Sequence, residues 1–373
     1  MNNNFIYHIP TKIIFENDAI SKYLFQELNN PHNVFIVTGK SSGRKSGALG
    51  DVEKVLSEKN IAYYLFDKIT ANPSVEEVLA GAREAHKSNS DLIIAIGGGS
   101  PLDAAKAIAF LTHNHYKGDE IFTKEPTEKI IPIIAVPTTA GTGSEVTPYA
   151  IITDSSIKNK RNLSHKNLFP QCAILDPKYT ESLPYHVTVN TAVDALSHAV
   201  EGFLSNRANQ MSSLTALQAI ETLSTGLKAL SKDDTIDLKT RGSLLMGSML
   251  GGLVIAQSGT TALHAMGYPL TYYRNIDHGL ANGLLMSSYL EFCHNGGRKE
   301  EITKIIKAMN LKSFDELNNL LNDLMKYEES FTKEEIDLYT KTALSAKNIL
   351  STNPQPTYED IHKIFTESLS VKG

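Results

Sequence analysis

The first half of the chain alternates short apolar runs with segments whose apolar residues recur at helical spacing. This alternation predicts a parallel sheet covered by helices, a fold that often binds dinucleotides. The runs predicted as strands are NVFIVTG (33–39), AYYLF (62–66), DLIIAIGGG (91–99) and IIPIIAVP (130–137), and the helices are predicted near 50–59, near 74–88 and from 101 onwards.

The second half of the chain has a different pattern. After QCAILDP (171–177) the strand signals stop, and helical spacing continues to the C-terminus. Ser313, Thr332 and Thr357 each precede an acidic residue by three positions, as in a capping box that starts a helix. The pair Asn353-Pro354 predicts a break between the last two helices. We therefore predict two domains, a Rossmann-like dinucleotide-binding α/β domain at 1–180 and a helical metal-binding, catalytic domain at 181–373.

Composition narrows the class of protein. At 373 residues the chain is too long for one ordinary core, and 41% hydrophobic with 21% charged residues is typical of a folded protein. A net charge of −5 argues against nucleic acid or anionic membranes as partners. The N-terminus has no pattern of a secretory leader, and only Cys172 and Cys293 are present, so we expect a cytoplasmic protein without disulfides.

A run of three glycines follows the third predicted strand. Gly97, Gly98, Gly99 and Ser100 precede Pro101, which we place at the first position of the next helix. A loop without β-carbons lets the backbone approach a pyrophosphate, and the helix N-terminus adds partial positive charge. An ordinary turn is the alternative, but consecutive glycines carry a high entropic cost, so phosphate binding is favoured.

A second loop, AVPTTAGTGSEVT (135–147), combines hydroxyl side chains with glycines after another strand. Such a loop can wrap a ribose or a nicotinamide. On its residues alone, a hydroxyl-rich turn explains it equally well.

The stretch NTAVDALSHAVEGF (190–203) is predicted to be a helix that carries polar groups among apolar neighbours. Asp194 and His198 lie four residues apart and therefore on one face. His264 and His278 follow, and Pro269 argues against one continuous helix through that segment. Together the four side chains offer one carboxylate and three imidazoles, a donor set that suits iron or zinc.

Spacing alone leaves an alternative open for these residues. Asp194 and His198 could form a hydrogen-bonded pair, and isolated histidines are usually not ligands. His113 and His115, in the polar turn HNHY, illustrate that case, and we assign them no role.

Over essentially the whole chain, the sequence resembles the iron-containing (group III) alcohol dehydrogenases. The similarity implies a dehydroquinate synthase-like two-domain architecture, an α/β N-terminal dinucleotide-binding domain plus an all-α C-terminal domain, with the active site in the interdomain cleft. The motifs that carry it are GGGSPLDAAKA, VPTTAGTGSEVT, AILDP, SLPYHVTVNTAVDALSHAVEGF and LHAMGYPL…DHGLANGLLM.

The resemblance also implies roles for individual residues. Asp194, His198, His264 and His278 fall on the family's metal ligands, the last two fourteen residues apart. For the nucleotide, it implies pyrophosphate binding by Gly97, Gly98, Gly99 and Ser100, ordering of that loop by Asp103, contacts from Thr138, Thr139 and Thr142, Lys160 beside the nicotinamide ribose, and Leu183 packed near the cofactor.

Tyr268 is a departure from the family pattern. Many members carry a further histidine four residues after the third ligand, and here that position is Tyr268. A phenol normally titrates near about pH 10, so we expect Tyr268 to orient the substrate rather than to exchange protons. A tyrosine that only fills space is the alternative.

A second departure concerns the cofactor. It lies in VFIVTGKSSGRKSG (34–47), where NAD-preferring relatives place an Asp after the strand and this chain has Gly39. A carboxylate there would bind a ribose 2′-hydroxyl and repel a 2′-phosphate. Ser41, Ser42, Arg44 and Lys45 instead offer hydroxyl and cationic partners, as in NADP-using butanol dehydrogenase and aldehyde reductase members. A solvated basic turn is the alternative, and NAD(H) stays possible.

We therefore expect hydride transfer between nicotinamide C4 and a small primary alcohol or aldehyde, with NADP(H) favoured over NAD(H). Four protein ligands plus a substrate oxygen exceed the usual catalytic zinc set, which makes Fe(II) the first choice and Zn(II) the second. The family suggests a homodimer or larger homo-oligomer. The alternatives are a dehydroquinate synthase-like carbon-oxygen lyase, which has Glu where this chain has Asp194, and a non-catalytic nucleotide-binding module.

Overall fold

The computed structural model describes residues 4–157, 159–232 and 235–372, which form two compact units. The sheet unit comprises Ile9–Thr139 and Gly143–Leu183. The helical unit comprises the chain from Pro184 onwards, together with Ala140–Thr142 and residues 4–8.

The sheet unit is an α/β structure around a parallel sheet, as the alternating pattern predicts. Six strands lie in the order β1-β8-β5-β4-β2-β3, and all neighbours are parallel, whereas β6 and β7 form a separate antiparallel hairpin. The strands are β1 (Lys12–Phe15), β2 (Asn33–Gly39), β3 (Ala62–Ile69), β4 (Leu92–Gly97), β5 (Ile133–Pro137), β6 (Tyr149–Asp154), β7 (Asn159–Ser164) and β8 (Cys172–Leu175). The helices are α1 (Ala19–Glu27), α2 (Ser42–Lys45), α3 (Ala48–Glu58), α4 (Val75–Lys87), α5 (Gly99–Leu111) and α6 (Glu120–Thr123).

Helices cover both faces of this sheet because alternate residues of the buried strands point to opposite sides. Ile93 and Ala95 of β4 pack with α4 and α5, and Ile94 and Ile96 pack with α1 and α3. The helix after β2 therefore lies on one face and the helix after β4 on the other. The strand order reverses between β2 and β4, which is where open α/β sheets bind their ligands.

The start of α5 corrects one prediction. The helix begins at Gly99 with Gly98 at its N-cap, so Pro101 is the third helical residue and the predicted first position is wrong. Proline is tolerated at the third helical position because the first backbone N–H groups of a helix have no acceptor within the helix. A proline there therefore removes no hydrogen bond.

The helical unit confirms the change of pattern after residue 177. Its helices are α7 (Tyr185–Leu204), α8 (Gln210–Leu230), α9 (Leu238–Ser258), α10 (Ala262–Arg274), α11 (His278–Asn295), α12 (Lys299–Ala308), α13 (Phe314–Met325), α14 (Lys333–Leu344) and α15 (Tyr358–Ser368). The expectation that no strand follows is wrong in one detail, because the two-residue strands β9 (Ser330–Phe331) and β10 (Ser370–Val371) pair in parallel.

The predicted helix boundaries largely hold. Thr332 and Thr357 form complete capping boxes, whereas Ser313 only accepts a hydrogen bond from the backbone N–H of Glu316. The segment with Pro269 is divided as predicted, but the division falls at residues 275–277, and Pro269 itself lies inside α10.

The helices of this unit are strongly apolar. In the part of the chain that the structure describes, no single helix is long and apolar enough to cross a membrane. The pair α9 and α10 meets that criterion only when taken together, across a bend of 111°.

Candidate metal centre and nucleotide loops

Four predicted ligands from three helices meet inside the helical unit. Helix α7 carries Asp194 and His198, α10 carries His264, and α11 begins at His278. The Nε2 atoms of His264, His278 and His198 lie 3.6, 3.8 and 4.0 Å from Oδ1 of Asp194. Asp194, His198 and His264 are buried.

This arrangement fits a divalent cation. The separations exceed a hydrogen bond, so Asp194 and His198 do not form the simple pair that spacing alone allowed. Two ligand atoms that each lie about 2.1 Å from one ion are roughly 3 to 4 Å apart. Possible ligand atoms of Asp194, His198 and His264 lie within 4.8 Å of one another. A carboxylate with imidazoles matches the donors that iron and zinc accept.

Two glycines set the distances between these helices. A β-carbon at Gly279 would lie 1.7 Å from the carbonyl oxygen of Asn190, so only glycine lets the first turn of α11 lie against α7. A β-carbon at Gly251 of α9 would lie 3.1 Å from the carbonyl oxygen of Ala195. The backbone contact at Gly279 holds His278 opposite Asp194.

Glu201, which the sequence analysis missed, orients one of the imidazoles. Its side chain is fully buried, and Oε2 accepts a hydrogen bond from Nδ1 of His264. Oε1 accepts from the backbone N–H groups of Thr261 and His264 at 2.8 and 3.1 Å. A hydrogen bond at Nδ1 leaves the Nε2 lone pair of His264 facing Asp194. Metal-binding histidines usually make such a hydrogen bond with the ring nitrogen that does not bind the metal. Because Glu201 follows His198 by three residues, the shared helix face was the signal that could have identified it.

Asn282 is a second residue that the sequence analysis missed. Its Nδ2 donates to Oδ1 of Asp194 at 3.1 Å and to Oγ of Ser197 at 3.3 Å. A β-carbon at Gly267 would lie 2.1 Å from Oδ1 of Asn282, so glycine makes room for this amide. Asn282 lies one helical turn after His278, and that spacing was the available signal.

The electrostatics favour the ligand forms of Asp194 and His198, whereas Glu201 and Asp194 outweigh burial and raise the pKa of His264. Burial opposes the charge on Asp194, but His198, His278 and His264 outweigh it, so the pKa of Asp194 lies below its usual value. Burial is the main cause that lowers the pKa of His198, against the opposing effect of Asp194. An anionic carboxylate and a neutral imidazole are the forms that bind metal.

Tyr268 lies against two of the histidines. Its ring stacks on His278, with centroids 5.4 Å apart and an interplanar angle of 7°, and meets the edge of His264 at 6.3 Å. Burial, with contributions from Glu201 and Asp194, raises the pKa of Tyr268 well above its ordinary value. The phenol therefore stays protonated at neutral pH.

In the sheet unit, the predicted phosphate loop lies at the carboxyl edge of the sheet. Gly97 ends β4 with φ +148°, and a β-carbon there would lie 2.6 Å from Cγ of Pro101. A β-carbon at Gly98 would lie 3.0 Å from Cγ2 of Thr139. The positive φ at position 97 therefore requires glycine. The loop exposes the N-terminus of α5 at the point where the strand order reverses.

The other predicted nucleotide residues follow neighbouring strands. The backbone N–H of Thr138, after β5, donates to the carbonyl of Gly97 at 2.9 Å. Across the reversal point, Gly39 ends β2, and the side chains of Ser41, Ser42 and Lys45 after it are exposed. Lys160 lies on β7 and Leu183 ends the sheet unit, whereas Thr142 belongs to the helical unit.

Asp103 and a buried lysine hold the segment that follows the second loop. Asp103 accepts hydrogen bonds from Oγ of Ser144 at 2.5 Å and from the backbone N–H of Ile151 at 2.9 Å. Lys106 is 1% exposed, and its Nζ donates to Ser144 at 2.7 Å and to the carbonyl of Tyr149 at 2.8 Å. The sequence analysis missed Lys106, because a lysine within a predicted helix is expected to be exposed to solvent. Its contacts anchor the start of β6 to α5.

Comparison with known proteins agrees with this arrangement over both units. A family model described as iron-containing alcohol dehydrogenase matches residues 10–177, and the model of the C-terminal domain of the Fe-containing alcohol dehydrogenase family matches residues 188–369. The chain is 35% identical to the probable alcohol dehydrogenase EutG of Escherichia coli over 274 residues, 73% of this chain and 69% of that protein. It is 30% identical to the NADPH-dependent butanol dehydrogenase of Clostridium saccharobutylicum, over 88% of this chain and 90% of that protein. A solved structure of an iron-containing alcohol dehydrogenase from Thermotoga maritima superposes with a TM-score of 0.89 at 34% identity, over 98% and 99% of the two chains.

Proposed function

The chain belongs to the iron-containing alcohol dehydrogenase family, and from this premise we propose that it transfers hydride between NADP(H) and a small primary alcohol or aldehyde. The observation that carries the proposal is the convergence of three imidazole Nε2 atoms on one buried carboxylate oxygen, that of Asp194. In this proposal Asp194, His198, His264 and His278 hold Fe(II), with Zn(II) as the second choice.

The residues of the helical unit prepare the site for that ion. A bound divalent cation would act as a Lewis acid that stabilises negative charge on the substrate oxygen, while the nicotinamide supplies or accepts the hydride. Glu201 fixes the ring of His264, and Asn282 holds Oδ1 of Asp194. Four protein ligands favour iron over the three-ligand set of catalytic zinc.

Tyr268 is proposed to orient the substrate. Its stacking on His278 fixes the ring, and its raised pKa keeps the hydroxyl protonated, so that it can donate a hydrogen bond. A group that keeps its proton is poorly suited to proton exchange. This property supports positioning rather than acid–base chemistry.

The nucleotide is proposed to bind at the reversal point of the sheet. The first turn of α5 offers backbone N–H groups and partial positive charge for the pyrophosphate, and the glycine loop Gly97–Gly99 with Ser100 leaves space for it. We propose Asp103 as the residue that orders the adjoining segment. The further proposed contacts are Thr138, Thr139, Thr142, Lys160 and Leu183.

A preference for NADP(H) is the finer part of the proposal. Gly39 leaves no carboxylate to repel a 2′-phosphate, and the exposed Ser41, Ser42 and Lys45 can bind it. The similarity to a butanol dehydrogenase that is described as NADPH-dependent supports the same choice. NAD(H) is the second choice.

Membership of the dehydrogenase family leaves the carbon-oxygen lyase without support, and Asp194 stands where that lyase has Glu.

We further propose that the protein is a homodimer or larger assembly in the cytoplasm. Two cysteines, Cys172 and Cys293, are buried and unlinked, which is compatible with a reducing compartment.

The test is a measurement of initial rates on anaerobic, Fe(II)-reconstituted protein with a panel of short aldehydes, NADPH against NADH. Rapid metal-dependent NADPH oxidation is expected. A strong preference for NADH would remove the cofactor proposal and leave the chemistry. Absence of turnover with either cofactor would favour the non-catalytic nucleotide-binding module.

A further inference from the structure

The loop that follows β5 is divided between the two compact units. Residues up to Thr139 lie in the sheet unit, Ala140–Thr142 lie in the helical unit, and the chain returns to the sheet unit at Gly143. Gly143 has φ +61°, a left-handed conformation that favours glycine. The same loop is proposed to contact the nucleotide. A segment proposed for nucleotide binding therefore belongs in part to the unit that carries the metal ligands.

Gly141 packs directly on α7, the helix that carries Asp194 and His198. It is buried, and a β-carbon at this position would lie 2.7 Å from Cβ and 2.9 Å from the carbonyl oxygen of Thr191. The side chain of Thr191 is fixed because its Oγ1 donates to the carbonyl of Val187 at 2.9 Å. Only glycine therefore lets the loop approach α7 this closely, at a residue three positions before Asp194.

Gly141 also lies beside the imidazole of His198. Nε2 of this ring faces Asp194, whereas Nδ1 is buried and forms no hydrogen bond of ordinary geometry among the described residues. Burial lowers the pKa of His198, and the backbone of Gly141 is among the groups that oppose this effect. Since a hydrogen-bond acceptor raises the pKa of an imidazole, the backbone group concerned is the carbonyl of Gly141. Metal-binding histidines usually donate their other ring N–H to such a carbonyl.

The residue before this segment packs on the loop that is proposed to bind the pyrophosphate. A β-carbon at Gly98 would lie 3.0 Å from Cγ2 of Thr139, so the two loops are in close contact. Only Ala140 separates Thr139 from Gly141 along the chain. Close contacts therefore run from the glycine loop to Thr139, and again from Gly141 to the helix of the metal ligands.

We propose that Gly141 is a positioning residue that couples metal binding to nucleotide binding. When the four proposed ligands share an ion, α7 is tied to α10 and α11, and the surface on which Gly141 packs is fixed. The loop then loses less freedom when the nucleotide binds, so each ligand increases the affinity for the other. This inference rests on the proposed function, because it takes the nucleotide to lie against this loop and the ion to lie in the helical unit.

The test is the NADPH affinity of the full-length protein, measured by fluorescence titration of metal-stripped and Zn²⁺-loaded samples. The wild type is expected to bind NADPH at least about fivefold more tightly with Zn²⁺, the lower end of the usual range for coupled sites. In Gly141→Ala the added β-carbon displaces the loop from Thr191, so the ratio of the two affinities is expected to fall towards one. A purely structural defect would weaken NADPH binding equally in both samples and leave this ratio unchanged.

Gly50→Ala is the matched control. It adds the same carbon at a place where no atom lies within 4 Å, and it is expected to keep the ratio of the wild type.

Amide hydrogen exchange of the wild type gives a second measurement that needs no variant. Zn²⁺ is added to the metal-stripped protein without NADPH, and exchange is expected to slow in residues 138–144 as well as around the ligands. A direct contact between the ion and the nucleotide cannot cause this change, because no nucleotide is present.

Three results would overturn the proposal. The first is equal NADPH affinity of the wild type with and without Zn²⁺. The second is the same ratio of affinities in the wild type and in Gly141→Ala whose fold is intact by far-UV circular dichroism. The third, which holds even if the variant does not fold, is unchanged exchange in residues 138–144. A wild type that binds no Zn²⁺ or no NADPH would overturn the proposed function as well, whereas independent binding of both overturns this inference alone.

Discussion

Glu201 accepts a hydrogen bond from Nδ1 of His264 within the buried core of the helical unit, and so determines which nitrogen of the imidazole faces Asp194. Three other donors share this carboxylate, namely the backbone N–H and the hydroxyl of Thr261 and the backbone N–H of His264. The carboxylate therefore connects the start of α10 to α7 as well as fixing one ring. Glu201 thereby fixes one of the proposed ligands without being one of them.

Replacement of Glu201 should weaken metal binding without removing a ligand. We expect Glu201→Gln, which keeps the size but not the charge, to reduce Fe(II) affinity by about 10- to 100-fold, the usual effect of losing such a contact. Competition with a chelator on the purified variant measures it. Glu221→Gln on α8 is the control, and equal affinities for wild type and Glu201→Gln would contradict the positioning role.

His278→Ala should abolish metal retention and turnover together, since the variant loses one of four proposed ligands. Metal content by mass spectrometry and the aldehyde-dependent rate with NADPH are the two readouts. His294→Ala, at the other end of the same helix, is the matched control and should retain both. If His278→Ala kept its metal and its activity, His278 would leave the ligand set.

Gly97→Ala should impair cofactor binding. The alanine β-carbon would meet Pro101 at a backbone conformation that side chains rarely adopt, so the loop must shift. We expect NADPH affinity to fall about 5- to 150-fold, as strain of about 1 to 3 kcal/mol would cause. Fluorescence titration with NADPH measures the change. Gly50→Ala on α3, where the added carbon meets no atom within 4 Å, should bind NADPH like the wild type.

Gly39→Asp should change the cofactor preference from NADPH towards NADH. The new carboxylate can bind a ribose 2′-hydroxyl and repels a 2′-phosphate. The added β-carbon would lie 2.8 Å from Oγ of Ser42, an exposed side chain that can move aside. The ratio of kcat/KM values for the two cofactors is the measurement, and Gly39→Asn is the uncharged control. A ratio that is the same in both variants would show that charge at this position does not select the cofactor.

Glu145 should make stability depend on pH. Its carboxyl is 2% exposed, Oε1 has no hydrogen-bond partner among the described residues, and burial raises its pKa from 4.5 to about 7. Between these two pH values the folded state holds a proton that the unfolded state has lost. The contribution of this proton to the free energy of unfolding is therefore fully present below pH 4.5 and is lost as the pH rises to about 7.

The resulting loss in the free energy of unfolding is at most about 3 kcal/mol, the energy that corresponds to a pKa shift of this size. Glu145→Gln, which cannot ionise, should remove this slope. Urea unfolding of both proteins at intervals from pH 5 to pH 8 measures it. Parallel pH profiles for wild type and variant would contradict the prediction.

The parts of the fold that sequence predicted well are those where one local pattern decides the outcome. The run 33–39 is a strand over the same residues, and the helix across 190–203 forms because its apolar residues face neighbours on several sides. Strand β1 and the β6–β7 hairpin were missed. β1 gains its hydrogen bonds from β8, about 160 residues away along the chain, and no local pattern encodes that pairing.

The candidate site, like the fold, could be predicted from the sequence only in part. Spacing left the ligand role of Asp194 and His198 open, and the family resemblance implied the carboxylate and the three imidazoles, but their closeness depends on backbone contacts such as that of Gly279 with Asn190. Lys106 and Glu145 look like solvated residues in the sequence, and burial gives them their significance.

The four proposed ligands lie on three separate helices, α7, α10 and α11, and none of these helices can bind the ion alone. The proposed centre therefore requires residues 185 to 278 to be synthesised and the three helices to dock before its four ligands meet, so that binding of the cation would be coupled to folding of this unit. Under this proposal, partial docking of the three helices would lower the metal content of a preparation.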